Sequence, residues 1–362
     1  MKKQAVFIGA TGQNVGKTTI CLGILSGLHK RFGQVGFIKP VGQQHVRVSD
    51  TLNVDKDVIL FKEYFGLKSS YESMSPVLCP QGFTKDFLDK KVTEAHLIEK
   101  ISSSFHEIKQ THPYVLVEGT GHTGVGSIFN LNNAKVAQKL GLDMVLLANG
   151  GLGSAFDDLT LHIELCRSHG INVRGVILNR VLDEKREMIQ TYFPKALKRY
   201  NIPILGLIPF LPYLSLPVVS DFETCFQVPL LAGHGHRYRH FQDIKLVAGS
   251  LESYLQESRP NQLVITPACR QDIISAVIER ELQSKAFGGG LLLTGQMPPT
   301  QNVIEQLAKS HIPTLYAPLC SFDAMKIIAS YNAKICKEDT AKVKQAIDLV
   351  ERHIDFDLLC HS

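Results

Sequence analysis

One segment near the start of the chain constrains the fold more than any other. The apolar run Gln4-Ala5-Val6-Phe7-Ile8 leads into Gly9-Ala10-Thr11-Gly12-Gln13-Asn14-Val15-Gly16-Lys17-Thr18-Thr19, and apolar residues then recur at helical spacing to about residue 31. A strand that turns through a glycine-rich loop into a helix lets successive backbone N–H groups and the positive helix terminus face one anion. In that geometry Lys17 reaches the terminal phosphates of a nucleotide, and the Thr18 hydroxyl is placed to ligate Mg2+. The spacing G-x-x-x-x-G-K-[ST] is met except at its first position, where Thr11 stands.

The rest of the chain supplies the sheet that such a loop needs. Short β-branched runs near 4–9, 34–39, 113–118, 143–148, 173–179 and 203–208 alternate with helical patterns near 17–31, 55–65, 93–109, 132–140, 155–169 and 184–199. That alternation predicts an α/β fold with a mostly parallel sheet. Residues 209–260 hold several prolines and weak periodicity. A second alternation follows, with strands near 262–266, 290–294 and 312–316 and helices near 270–284, 301–309, 321–330 and 340–353. The expected division is therefore a P-loop nucleotide-binding domain over 1–215, a junction over 216–260 and a smaller α/β domain over 261–355. The tail from Asp355 to Ser362 reads as lightly packed.

Composition narrows the function classes. The 44% hydrophobic content suffices for a sizeable core, and the excess of 39 Lys+Arg over 34 Asp+Glu is scattered. No basic patch points to nucleic acid. The longest apolar stretches, such as Met144–Ala148, fall far short of the ~18–20 residues that cross a bilayer, so neither a membrane nor nucleic acid is an expected partner. Eight cysteines are scattered without a Cys-x-x-Cys pair. They read as reduced small hydrophobes in a cytoplasmic protein.

Several further residues are candidates for the site. Tyr114-Val115-Leu116-Val117 ends in Glu118-Gly119-Thr120-Gly121, delivering a carboxylate to the carboxyl end of a strand beside the phosphates. Glu118 is a metal-ligand candidate. Lys39 ends the second strand and brings another cation to the same rim, suited to charge developing on a phosphoryl group in flight. Asp55 and Asp57 open the next helix, where capping and metal ligation are both open roles. His122, in a glycine-rich turn, is a candidate contact for a substrate anion. Gly150-Gly151-Leu152-Gly153-Ser154 offers another helix N-terminus, for a substrate or a dimer interface. His234, His236 and His240 carry no flanking carboxylate or cysteine, so an exposed loop is expected there rather than a metal site.

Together these residues resemble dethiobiotin synthetase. The resemblance rests on Thr11-Gly12-Gln13-Asn14-Val15-Gly16-Lys17-Thr18, Lys39-Pro40-Val41, Asp57-Val58, Glu118-Gly119-Thr120-Gly121, Leu178-Asn179-Arg180 and Leu205-Gly206-Leu207-Ile208-Pro209. A closer resemblance, over nearly the whole chain, is to the amino-terminal region of long phosphotransacetylases, which joins such a module to a DRTGG domain. It is carried by Met74-Ser75-Pro76-Val77, Gly82-Phe83-Thr84-Lys85-Asp86-Phe87-Leu88, Arg270-Gln271-Asp272-Ile273-Ile274 and Leu292-Leu293-Thr294-Gly295. Cys269 departs from it, standing where that domain often has Asp.

The resemblance implies ATP and Mg2+ as cofactors. It implies phosphate contacts from Gly12, Gln13, Asn14, Val15, Gly16, Lys17, Thr18 and Thr19, a metal held by Thr18, Asp57 and Glu118, and a transferred group steadied by Lys39. Asn179, Ile208 and Pro209 would hold adenine, and a homodimer is implied. Gln43 stands where the family's substrate-binding position is typically small or hydroxylic. Gln43, His122, Gly153 and Ser154 are thus the substrate candidates, the second substrate being a small carboxylate or amine. Phosphotransacetylase activity is not expected, since its catalytic domain would add a further ~300 residues and the sequence ends at Ser362. Two functions stay open: an ATP-dependent enzyme or weak ATPase that activates a carboxyl or carbamate by phosphorylation, and a nucleotide-sensing regulatory module acting through its DRTGG domain on a partner protein.

Overall fold

A computed structural model describes residues 4–284 and 287–360. The chain divides into two units: residues up to Leu211 together with those from Ile335 onward, and Pro212–Lys334 between them. The first unit is built on strands β1 (Gln4–Ala10), β2 (Val35–Ile38), β3 (Tyr114–Glu118), β4 (Met144–Asn149), β5 (Val173–Val181) and β6 (Ile204–Pro209). They form one wholly parallel sheet in the order β6-β5-β4-β1-β3-β2. Strands β1, β3 and β4 are almost continuously apolar and buried, as a parallel sheet covered on both faces requires.

The strand order sets where a ligand can sit. From β1 the chain crosses to the β2 edge and returns to β3, whereas β4 lies on the other side of β1, so the direction of winding reverses at β1. The crevice over the carboxyl ends of the strands at such a reversal is where open α/β sheets bind ligands. The loop after β1 leads there into helix α1 (Lys17–Phe32), the loop after β3 carries Glu118, and the segment after β2 carries Lys39.

The second unit has its own five-stranded sheet, made of β7 (Leu230–Ala232), β8 (Asp243–Leu246), β9 (Gln262–Pro267), β10 (Gly290–Thr294) and β11 (Thr314–Ala317), in the order β7-β11-β10-β9-β8. All neighbours are parallel except β7, which runs antiparallel to β11. Alternate residues of β9 and β10 feed two cores: Val264, Leu291 and Leu293 on one face, Leu263, Ile265 and Leu292 on the other. The α/β class expected from the sequence, a P-loop-type parallel sheet followed by a smaller unit, is the fold observed.

The division along the chain differs from the expected one at both ends of the second unit. Residues 216–260, read as a junction, contain helices Val219–Phe226 and Leu251–Glu257 and strands β7 and β8, all belonging to the second unit. These elements are too short to show a period in the sequence. The C-terminal helix Thr340–Glu351, read as part of 261–355, belongs to the first unit. Gly23 and Gly27 on α1 leave it room, since a Cβ at either would overlap Val350 or the Phe356 ring. Of the tail, the described residues are packed: Phe356–Cys360 is a helical turn, the Arg31 guanidinium lies 4.4 Å from the Phe356 ring centroid, and Lys30 meets Glu351 at 2.5 Å; His361 and Ser362 lie outside the described residues.

This packing makes the helix a part of the first unit's core. Gly23→Leu should overpack against Val350 and cost about 1–3 kcal/mol, read as a lower urea midpoint for the full chain. An unchanged midpoint would remove the C-terminal helix from α1.

Candidate functional site

The phosphate loop takes its shape from β1 and from β5. Gly16 caps α1 with φ +99, a left-handed conformation that a side chain would strain. A Cβ there would also overlap the Asn179 amide. Asn179, 5% exposed, donates from Nδ2 to the Val15 carbonyl at 2.8 Å, so in the structure it braces the loop. Gln13 and Asn14 are exposed at the loop tip, Val15 and Lys17 are buried, and Gly12, Thr18 and Thr19 lie between. Ile208 and Pro209 end β6, with Pro209 paired to Val181 of β5.

Five ionisable side chains converge beneath this loop. Lys17 Nζ donates to the Gly121 carbonyl. Thr18 Oγ1 donates to Glu118 Oε1 at 3.2 Å. Lys39 is paired with Asp57 and, at 2.9 Å, with Asp55. Asp55 is the N-cap of helix α2 (Lys56–Phe65), its Oδ1 accepting the Asp57 N–H at 3.0 Å. Capping and ion pairing are therefore done by the same carboxylate. Asp55 reaches this place through the hairpin His45–Arg47/Asn53–Asp55, which the sequence reading left out.

Burial decides the charges. Glu118 is 1% exposed, and removal from water raises its pKa from the ordinary 4.5 to about 8, against the pull of Lys39 and Lys17. Asp55 is raised for the same reason. Burial also lowers Lys17, opposed by Glu118. For Lys39 burial alone would lower the pKa, but Asp57, Glu118 and Asp55 outweigh it and hold the ammonium protonated.

The donor set fits a hard divalent cation. Glu118 Oε2 is buried with no hydrogen-bond partner, an arrangement costly for a carboxylate unless something positive faces it. With the Thr18 hydroxyl and the Asp57 carboxylate it would supply the all-oxygen kind of set that Mg2+ takes together with phosphate oxygens. No cluster of three or more His, Cys, Asp or Glu with metal-binding geometry occurs among the described residues. His234 and His236 lie in an exposed turn.

The substrate candidates are spread along the same rim. Gln43 is exposed beyond the two-residue strand Val41–Gly42. Gly153 and Ser154 open helix Gly153–Ser168 and are exposed. His122 accepts the Gly124 N–H on Nδ1 at 3.1 Å, leaving Nε2 to carry the proton of the neutral ring. Its ring lies 5.6 Å from that of His162. His162 was missed by sequence reasoning. Its Nε2 donates to the Thr11 carbonyl at 2.8 Å, and burial lowers its pKa. Asn133, also missed, holds the backbone of the Glu118 loop.

Comparison with known proteins places both units in families. Residues 4–218 match the family described as AAA domain. The chain belongs to that family. Residues 224–331 match the DRTGG domain, which confirms the fusion read from the motifs. Phosphate acetyltransferase of Nitratidesulfovibrio vulgaris is 27% identical over 361 residues, covering 97% of this chain and 50% of the relative. The ATP-dependent dethiobiotin synthetase BioD of Methanocaldococcus jannaschii is 29% identical over 208 residues, 56% of this chain and 92% of that protein. The chain spans about half the length of the phosphate acetyltransferases it matches. Among solved structures, the MinD cell division protein of Aquifex aeolicus is similar with a TM-score of 0.37 at 20% identity, covering 58% of this chain and 84% of that one. No described helix is long and apolar enough to cross a membrane.

The raised Glu118 pKa carries a signed consequence. The folded protein binds this proton more tightly than the unfolded chain, so the group's contribution is most favourable below pH 4.5 and is lost as pH rises towards 8. Glu118→Gln should therefore stabilise the ligand-free protein at pH 8 and above by a few kcal/mol at most. The gap should close towards pH 4.5. Thermal melts across that range check it, and a variant less stable than wild type at pH 8 would contradict the assignment.

Proposed function

We propose that the first unit binds ATP with Mg2+ across the carboxyl ends of β1, β2 and β3 and transfers the terminal phosphoryl group to an oxygen of a small carboxylate or carbamate. Slow hydrolysis is its activity when that acceptor is missing. The observation that carries the reading is the convergence of Lys17, the Thr18–Glu118 pair and Lys39 under one phosphate loop. A scaffold has no physical need for two buried ammonium groups around a carboxylate with an unmade hydrogen bond, because such burial is costly.

The roles divide by position. Backbone N–H groups from Gly12 to Thr19 cradle the phosphates, and Lys17 exchanges the Gly121 carbonyl for a phosphate oxygen. Thr18, Glu118 and Asp57 hold the metal, whose chemistry here is neutralisation of phosphate charge. Lys39 steadies the group in transfer, its charge kept by Asp55 and Asp57. Adenine lies towards Asn179, Ile208 and Pro209. The acceptor lies towards Gln43, His122, Gly153 and Ser154, and the working form is a cytoplasmic homodimer.

A second reading is favoured by the match of residues 224–331 to the DRTGG domain in a chain that aligns end to end with halves of phosphate acetyltransferases. In it, nucleotide occupancy of the first unit is sensed by the second and passed to a protein partner, with little turnover.

Binding and turnover are tested separately. ATP with Mg2+ at ~100-fold excess over its dissociation constant should stabilise the full chain by about 2.7 kcal/mol, read as a rise in Tm. Lys17→Ala should abolish the rise, and an equal rise in that variant would overturn the nucleotide site. Phosphate release is then measured with diaminopelargonate plus bicarbonate and with a panel of amines and carboxylates. Stimulation by one of them supports phosphoryl transfer, whereas a flat response beside tight ATP binding selects the regulatory reading.

A further inference from the structure

We propose that Asn133 is a positioning residue that fixes the loop 118–123, and through it sets how tightly the site takes its divalent cation. The proposal rests on the ATP and Mg2+ reading given above.

Asn133 is 4% exposed and opens helix Asn133–Leu140. The cap of that helix is its neighbour Asn132, whose Oδ1 accepts the Lys135 N–H at 2.8 Å. The Asn133 side chain is thus free of capping duty and spends every polar atom on one loop. Its Oδ1 accepts the Thr120 N–H at 3.0 Å. Its Nδ2 donates to the Thr120 carbonyl and to the His122 carbonyl, each at 2.8 Å. Its backbone N–H donates to the Thr123 carbonyl at 3.0 Å. An uncharged amide, with two donors and an acceptor on a short stem, matches this set of one N–H and two carbonyls.

The loop held in this way touches each part of the site. Glu118 begins it. The Thr120 hydroxyl donates to the Val41 carbonyl, two residues beyond Lys39. The Gly121 carbonyl receives Lys17. Thr123 closes it onto the phosphate loop, with its N–H and Oγ1 both donating to the Ala10 carbonyl at 2.9 and 3.0 Å. Side-chain amide bonds therefore fix the backbone that aims the Glu118 carboxylate at Thr18 and sets the distance between the two lysines. With the amide removed, the Thr120 N–H and two carbonyls lose buried partners, and the loop must move to recover them. A carboxylate that wanders binds a cation less tightly, since ligand orientation is held from outside the ligand set.

The experiment is titration calorimetry of the full chain with ATP over a series of Mg2+ concentrations, for wild type, Asn133→Ala, Asn133→Leu and Asn132→Ala. Asn133→Leu keeps the volume without the polar atoms. Asn132→Ala removes the cap of the same helix and leaves the loop bonds in place, so it reports what helix destabilisation alone does. The expected result is a Mg2+ midpoint for ATP binding raised at least tenfold in both Asn133 variants and unchanged in Asn132→Ala. A wild-type midpoint in a folded Asn133 variant would overturn the positioning role, as would an equal shift in Asn132→Ala. Failure of both Asn133 variants to fold would assign the residue to stability alone and overturn the proposal as well. Failure of wild type to bind ATP at any Mg2+ concentration would instead remove the nucleotide reading itself.

Discussion

A carboxylate at the end of a central strand, out of water and with one oxygen unbonded, is the constraint on which the site depends. Glu118 is placed there by the register of β3 against β1, which sets it opposite Ile8 and beside the start of the phosphate loop. Left alone it would be a large liability. The surrounding lysines offset part of that cost, and a raised pKa offsets more by letting the group hold a proton. Lys17 and Lys39 both face Glu118 and Asp57, so each buried ammonium has carboxylates close by. A cation bound by this carboxylate would displace its proton, which links cation uptake to proton release.

The same balance explains why Lys39 is accompanied by two carboxylates. A single buried ammonium would lose its proton. Asp55 and Asp57 prevent this, and because Asp55 also caps α2, the pair that holds the charge also fixes the start of the helix. Local structure and electrostatics here rest on one side chain.

Much of the fold and part of the site were legible in the sequence. Strands β1, β3 and β4 are almost continuous apolar runs, and the loop from Gly12 to Thr19 marks the carboxyl edge of β1. From there Lys17, Thr18, Lys39, Asp57 and Glu118 followed as residues at strand or helix ends, and the structure brings them together. Asn133 was not legible, because an asparagine beside a helix start reads as a cap, and only the fold shows that Asn132 does the capping. His162 sits mid-helix, where nothing local reveals that it reaches back to Thr11. The C-terminal helix gave a clear period, but a period does not say which unit supplies the partner face. That information lies in Gly23 and Gly27, more than 300 residues earlier in the chain, whose small size makes sense only once the helix is seen against them.

The position of that helix changes how the second unit must be regarded. The second unit is an insertion, leaving the first after Leu211 and returning to it at Ile335. A chain cut after the second unit would lose the cover of α1, the helix whose first turn carries Lys17 and Thr18. The apolar face around Ile20, Ile24 and Leu28 on that helix is fully buried, and exposing a neighbouring part of it costs roughly 25 cal/mol for every Å2 of apolar surface. Loss of nucleotide binding after such a cut would therefore report stripping of α1 rather than any contribution of the second unit. An internal deletion that joins the end of β6 to the C-terminal helix keeps the cover in place, and it is the form of the protein in which the second unit's part can be separated from the stability of the first.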